Sequence, residues 1–219
     1  MEQDETLLLL EGGGMGSVTA SRVPKPLSQS AENITIVTSG EIDSLHAHTL
    51  EEVLLGVSGV QVQSTRTPGS FTYMRLQGAG PSHVLVMLDG VPLNSLGENL
   101  ADIGLIPARI IDRVEIVKGA ASSSWGQALG GVINVITKSP DERERLAGGS
   151  VSATLGEGGT VDTGGELMGG AGSFGYYLSG GRLSSDGLLA NNHTRLSSAY
   201  AKLSYDLPSG GELTATLAE

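Results

Sequence analysis

Cysteine is absent from the 219 residues, which excludes a disulfide scaffold, a thiolate metal site and a cysteine nucleophile. Basic residues are few: 13 Lys and Arg stand against 24 Asp and Glu, for a net charge of −11. Phosphate binding needs a basic face, so a nucleic-acid partner is set aside. An acidic surface points first to solubility, and second to a basic partner or cationic ligand. No apolar run approaches the ~18 residues of a transmembrane helix. The start, Met1 to Asp4, is acidic and the apolar run Leu7 to Leu10 is short, unlike a secretory signal, so an exported form would begin after its leader. A β-barrel passes these tests unseen, because its strands carry a much weaker signal.

What the chain has in excess is glycine, 33 residues, about twice the ~7% usual in soluble proteins. No collagen-like period accompanies them, so they read as turns, bulges and close backbone contacts. Residues 1–30, with Gly12 to Gly16 and the prolines Pro24 and Pro26, read as an extended or flexible tail.

Residues 31–140 form the compact part. Ile34 to Val37 is a strand candidate. Thr49-Leu-Glu-Glu52 has the capping-box pattern, with Thr49 as N-cap and Glu52 reaching back. Leu50, Val53, Leu54 and Val57 then share one helical face, and Gly56 suits the C-terminal cap. Val60 to Val62 alternates as a strand does, and Thr65 to Ser70 reads as a polar loop. Val84 to Leu88 is uniformly apolar, as in a strand covered on both faces, and Asp89-Gly90 is a turn pair. Val114 to Val117 and Val132 to Ile136 are further strands, giving an α+β or mixed α/β domain.

Residues 146–219 change to a two-residue alternation. Ala199, Ala201, Leu203, Tyr205 and Leu207 form one side, and Ser198, Tyr200, Lys202, Ser204 and Asp206 the other. After a turn at Pro208 to Gly211, Leu213, Ala215 and Leu217 alternate with Thr214 and Thr216. Membrane β-barrel strands show this pattern, apolar outside and polar inside. A soluble antiparallel sheet with one wet face shows it too, and periodicity alone leaves both open.

The middle of the chain resembles a known family. Val84-Leu-Val-Met-Leu-Asp-Gly-Val-Pro-Leu-Asn94, Ile111-Asp-Arg-Val-Glu-Ile-Val-Lys-Gly119 continuing to Gly126, and Gly126 to Thr137 occur in the order and spacing of the plug domain of TonB-dependent outer-membrane receptors. Val18 to Arg22, Pro26 to Ser28 and Asn33 to Val37 resemble the family's entry to the plug, so the similarity covers roughly residues 18–138. Departures are Gln77 for an arginine, Lys118 for arginine, Ala120 for proline and Trp125 for tyrosine. Gln77 puts a family contact between plug and barrel in doubt, and Lys118 keeps a charge without bidentate pairing.

The resemblance implies an α+β plug, a small mixed β-sheet with short helices, followed by antiparallel strands of an incomplete transmembrane β-barrel. Residues 1–22 would be a tail, 23–145 the plug, and 146–219 four or five strands of a 22-stranded barrel. Such a barrel needs roughly 400 or more residues, so this sequence would be a truncation, an expression product or a fragment. The tail would carry the box that pairs with TonB, itself powered by ExbB and ExbD, through strand addition. Glu5, Thr6, Leu7, Leu8, Leu9 and Leu10 fit that box, and Val18, Thr19 and Ala20 fit it less well. Substrate-contacting plug loops would supply Arg66, Thr67, Tyr73, Asn94, Ser95 and Asn99, and Arg113, Glu115 and Lys118 would meet the barrel. Run Ser82-His-Val-Leu-Val86 resembles cobalamin receptors somewhat more than ferric-siderophore ones. The implied setting is the outer membrane, with lipid around the barrel strands.

Enzyme chemistry finds little support. Leu7 to Gly16 imitates a strand and phosphate loop, but Ser17 to Pro26 lacks the helix that such a loop requires. His46 and His48 cannot share a helix face, so with Asp43 they read as solvated residues rather than a metal site. Asp89 and Asn94 read as turn-formers, and Ser122 to Ser124 lack a nucleophile elbow. No cofactor is expected. The rival reading is a free-standing periplasmic plug-like binding or decoy domain without transport.

Overall fold

The computed structural model of the protein describes residues 16–17, 25–26, 33–64, 71–120, 125–126, 128–139, 147–187 and 192–219. Two short strands near the start, β1 (Gly16–Ser17) and β2 (Lys25–Pro26), pair antiparallel. The first large sheet contains β3 (Asn33–Thr38), β6 (Val84–Leu88), β7 (Val91–Pro92), β8 (Ile111–Lys118) and β9 (Gly131–Thr137). Its order is β3-β8-β9-β6-β7, and it is mixed: β6 and β9 run parallel while the other neighbours are antiparallel. A separate hairpin pairs β4 (Val60–Gln63) with β5 (Tyr73–Leu76).

The near-continuous apolar runs of β6 and β9 arise because both faces are covered. Val84, Val86, Ile133 and Val135 belong to the main core with Leu50, Val53 and Leu54 of the helix beneath. Met87 and Val132 face the other way, into a smaller cluster with Val117, Ala128 and Trp125. Asp89 and Gly90 take left-handed backbone conformations, φ 48° and 82°, and close the tight hairpin from β6 to β7. Gly131 enters β9 at φ 136°, where a Cβ would run into the Val117 carbonyl, so this position requires glycine.

Helix placement corrects one expectation. Thr49 does precede a helix, α2 (Leu50–Leu55), but its side chain makes no capping bond. Glu52 instead accepts from the His48 amide at 2.8 Å. The reciprocal capping box belongs to Thr38 and Glu41, which open α1 (Ser39–Leu45) directly after β3. Both segments carry a threonine three residues before a glutamate. Thr49 is 2% exposed and its backbone bridges Pro107, so tertiary packing fixes it rather than a cap.

The second large sheet is antiparallel throughout: β10 (Gly148–Gly156), β11 (Thr160–Ala171), β12 (Phe174–Ser185), β13 (Thr194–Asp206) and β14 (Glu212–Ala218), paired in chain order. Among the described residues β10 and β14 are open edges, so the sheet is not closed. Its registers put Leu167, Leu178 and Ala201 side by side on one face, and Tyr205 between Phe174 and Leu213. That face is apolar and exposed. The opposite face carries Asp162, Glu166, Tyr177, Tyr200 and Lys202 against the first sheet and its helices.

Candidate functional site

Among the described residues two places can carry function: a pocket on the loops beside the first large sheet and the seam between the two large sheets. The pocket, about 510 Å³, is lined by Leu85, Gly90, Pro92, Asn94, Ser95, Leu96, Asn99 and Trp125. Three expected substrate-contacting residues, Asn94, Ser95 and Asn99, therefore meet there. Asn94 is largely occupied by the fold: it accepts from Val86 N–H at 2.8 Å and donates to the Val84 and Asn99 carbonyls, each at 2.9 Å. Asn99 sits at φ 54° and its amide donates to the Ser82 carbonyl. Leu96 is fully exposed at the rim.

Tyr73 lies outside this pocket, in β5, with its ring 6.2 Å from that of Phe71. Arg66 and Thr67 lie outside the described residues, as do Glu5 to Leu10 and Val18 to Ala20. The two loop regions are nevertheless tied together. Asp102 accepts from Thr72 N–H at 3.0 Å, and Ile103 N–H donates to the Thr72 carbonyl at 3.0 Å.

The seam is held by charged and hydroxyl groups in three places. Lys138, the residue after β9, donates to both Glu166 oxygens, at 3.1 and 3.0 Å. Asp89 gathers a partly buried network: it accepts from Thr137 N–H at 2.8 Å, Thr137 Oγ1 at 2.6 Å and Tyr200 Oη at 3.2 Å, and pairs with Lys202 Nζ at 3.2 Å. At the third, Asp162 of β11 pairs with Arg109 and accepts from His48 Nδ1 at 2.8 Å. The Asp162 hydrogen bond raises the His48 pKa above its ordinary 6.5, against the opposing effect of burial.

The residues expected to meet the barrel all lie on β8. Arg113 pairs with the fully buried Glu115 at 3.0 Å and with Asp112 at 3.0 Å, all on β8. Lys118 ends β8 opposite Asn33 and Gly131. Sequence reading missed Asp89, Arg109, His48 and Asp162 as seam residues. A usable signal was the polar side of the 198–206 alternation, which already contained Tyr200 and Lys202.

The mixed sheet seated against an antiparallel wall now has external support. Residues 26–132 match the TonB-dependent Receptor Plug Domain family. This region is a plug domain of the TonB-dependent outer-membrane receptor family. Its relatives are transporters and receptors rather than enzymes. It is 36% identical over 140 residues to the vitamin B12 transporter BtuB of Vibrio cholerae, covering 64% of this chain and 22% of that protein. BtuB of Photobacterium profundum is 37% identical over 160 residues, 73% of this chain and 26% of its own.

The chain thus spans about a quarter of the length of these relatives. Among solved receptors, the pyoverdine receptor FpvA of Pseudomonas aeruginosa superposes with a TM-score of 0.79 at 22% identity, over 92% of this chain and 29% of that one. The alcaligin receptor FauA of Bordetella pertussis gives 0.75 at 19%, over 93% and 34%. These two likenesses establish the fold: a plug with the antiparallel start of a barrel.

Proposed function

We propose that this chain is the energy-coupling tail, plug and first barrel strands of an active transporter for a cobalamin-type corrinoid. The observation that carries the substrate class is the 36% identity over 140 residues to a vitamin B12 transporter. The loop pocket is compatible. Leu85, Pro92, Leu96 and Trp125 offer apolar surface, Asn94, Ser95 and Asn99 offer neutral polar groups, and no described lining residue is charged. A corrin edge fringed with amides suits that lining better than an anionic ferric chelate, which calls for basic groups.

In this reading the plug occludes the barrel until ligand settles on its outer loops. Occupancy frees the tail, and Glu5 to Leu10 pairs as an added strand with TonB, energised through ExbB and ExbD. TonB then displaces or remodels the plug. Val18 to Ala20 is the second candidate segment. The test compares labelled cyanocobalamin with a ferric siderophore on outer membranes bearing the protein. Preferential siderophore binding would overturn the corrinoid assignment. Deleting residues 5–10 should leave ligand binding intact and abolish uptake; retained uptake would remove that segment from the mechanism.

A further inference from the structure

The seam at Asp162 is built differently from the other two ties. Its plug side is a short two-stranded strip: Leu50 N–H donates to the Ile106 carbonyl at 2.8 Å, Thr49 bridges Pro107, and Ala108 N–H donates to the His48 carbonyl at 3.0 Å. That strip fixes the backbones of His48 and of Ala108, the neighbour of Arg109. Both side chains then reach one carboxylate, Arg109 on one oxygen and His48 Nδ1 on the other.

The barrel side is shaped to receive them. Gly164 and Gly181 are register partners on β11 and β12, and a Cβ on either would overlap the Arg109 guanidinium. The missing side chains form a slot in the wall. His48, Arg109 and Asp162 keep only 17, 13 and 11% of their side-chain surface exposed. The charged groups facing His48 are Asp162 from β11, Glu52 from α2 and the Arg109 guanidinium beside it. Two carboxylates against one cation favour an imidazolium there.

We propose that His48, Arg109 and Asp162 form a proton-sensitive latch between plug and barrel wall, tightest when His48 is charged and slack when it is neutral. Arg109 supplies the constant part of the hold and His48 the adjustable part. Acidification at the outer membrane would seat the plug more firmly, and alkaline conditions would lower the barrier to its displacement.

A thiol probe under the plug reads this directly, since the sequence has no cysteine. Ser179 on β12 is 8% exposed and its hydroxyl is buried, so Ser179→Cys is a near-isosteric reporter. Labelling of the folded protein in outer membranes is measured at pH 5.5 and pH 8 (~2.5 units apart, spanning the ordinary histidine range), normalised to the urea-unfolded chain at each pH. The reporter alone should label about two- to fivefold faster at the higher pH, the range expected for losing one weak ion pair. With His48→Gln added, that dependence should vanish. Gly164→Ala, which evicts Arg109 without removing a charge, should speed labelling at both pH values. Retention of the full pH dependence in the His48→Gln protein would overturn the proposal, and so would unchanged labelling in the Gly164→Ala protein.

Discussion

Val135 in the first large sheet and Val151 in the second are the same residue in the same kind of element, yet one is 0% exposed and the other 92%. The first sheet follows the rule of soluble proteins: its apolar residues turn inward and meet helices and each other. The second inverts that rule. Its outer face carries Val151, Leu155, Leu178, Leu203 and Leu217, all exposed, while Asp162, Lys202 and Ser204 are buried against the plug. One alternating pattern serves both environments because it only separates two faces. Lipid or a polar neighbour decides which face is inside. Buried polar groups must then find hydrogen bonds, and the seam supplies them.

The sharpest way to break the comparison is at the polar interior. Asp89→Ala would leave the Lys202 ammonium buried without its carboxylate. Removing one member of a buried pair typically costs about 3–5 kcal/mol. Urea titration of plug release should detect it, and the double variant Asp89→Ala with Lys202→Met should regain most of the loss. A single variant as stable as the parent would show that the network is wetted. In the apolar interior, Ile116→Ala at a fully buried site should cost about 2–5 kcal/mol. Leu155→Ala, on the outer face at 80% exposure, should cost far less in detergent. Equal losses would mean that the two sheets bury their apolar residues alike. On the lipid face, Leu178→Arg in the middle of β12 should destabilise the inserted protein by about 2–4 kcal/mol, read from folding into bilayers. Normal insertion would argue against a membrane-facing wall.

The plug strands were legible because they are bounded apolar runs. Val84 to Leu88 was read with its observed limits, and Val114 to Val117 and Val132 to Ile136 each lie within a longer strand. What escaped was anything decided by a partner distant in sequence. Glu52 has a cap-like position, yet its carboxylate goes to the His48 amide because Thr49 is locked to Pro107. Thr38 and Glu41 form the working cap, although Ser39-Gly40 between them looks like a turn. Asp89 was read as a turn-former and is one, but it also faces β13, 111 residues on. Arg109 and Asp162 carry no local motif. Their meeting depends on two glycines that are themselves cross-strand partners. The loop residues Asn94, Ser95 and Asn99 were legible as a group because a single segment holds them.

Two titrating groups separate the regions with opposite signs. Glu41 lies wholly within the plug, and hydrogen bonds from the Thr38 amide and hydroxyl hold its pKa below the ordinary 4.5. Its contribution is complete above 4.5 and disappears as pH falls through the depressed value. His48 belongs to the seam, and its bond to Asp162 raises its pKa above 6.5. That contribution is complete below 6.5 and disappears as pH rises through the raised value. Between pH 4.5 and 6.5 both are present in full, so the docked plug should show a plateau of stability with a shallow fall on each side. His48→Gln should remove the alkaline fall and leave the acid one, while Thr38→Ala should weaken the acid fall alone. If His48→Gln altered the acid limb instead, the assignment of one titration to the plug and the other to its contact with the barrel would not stand.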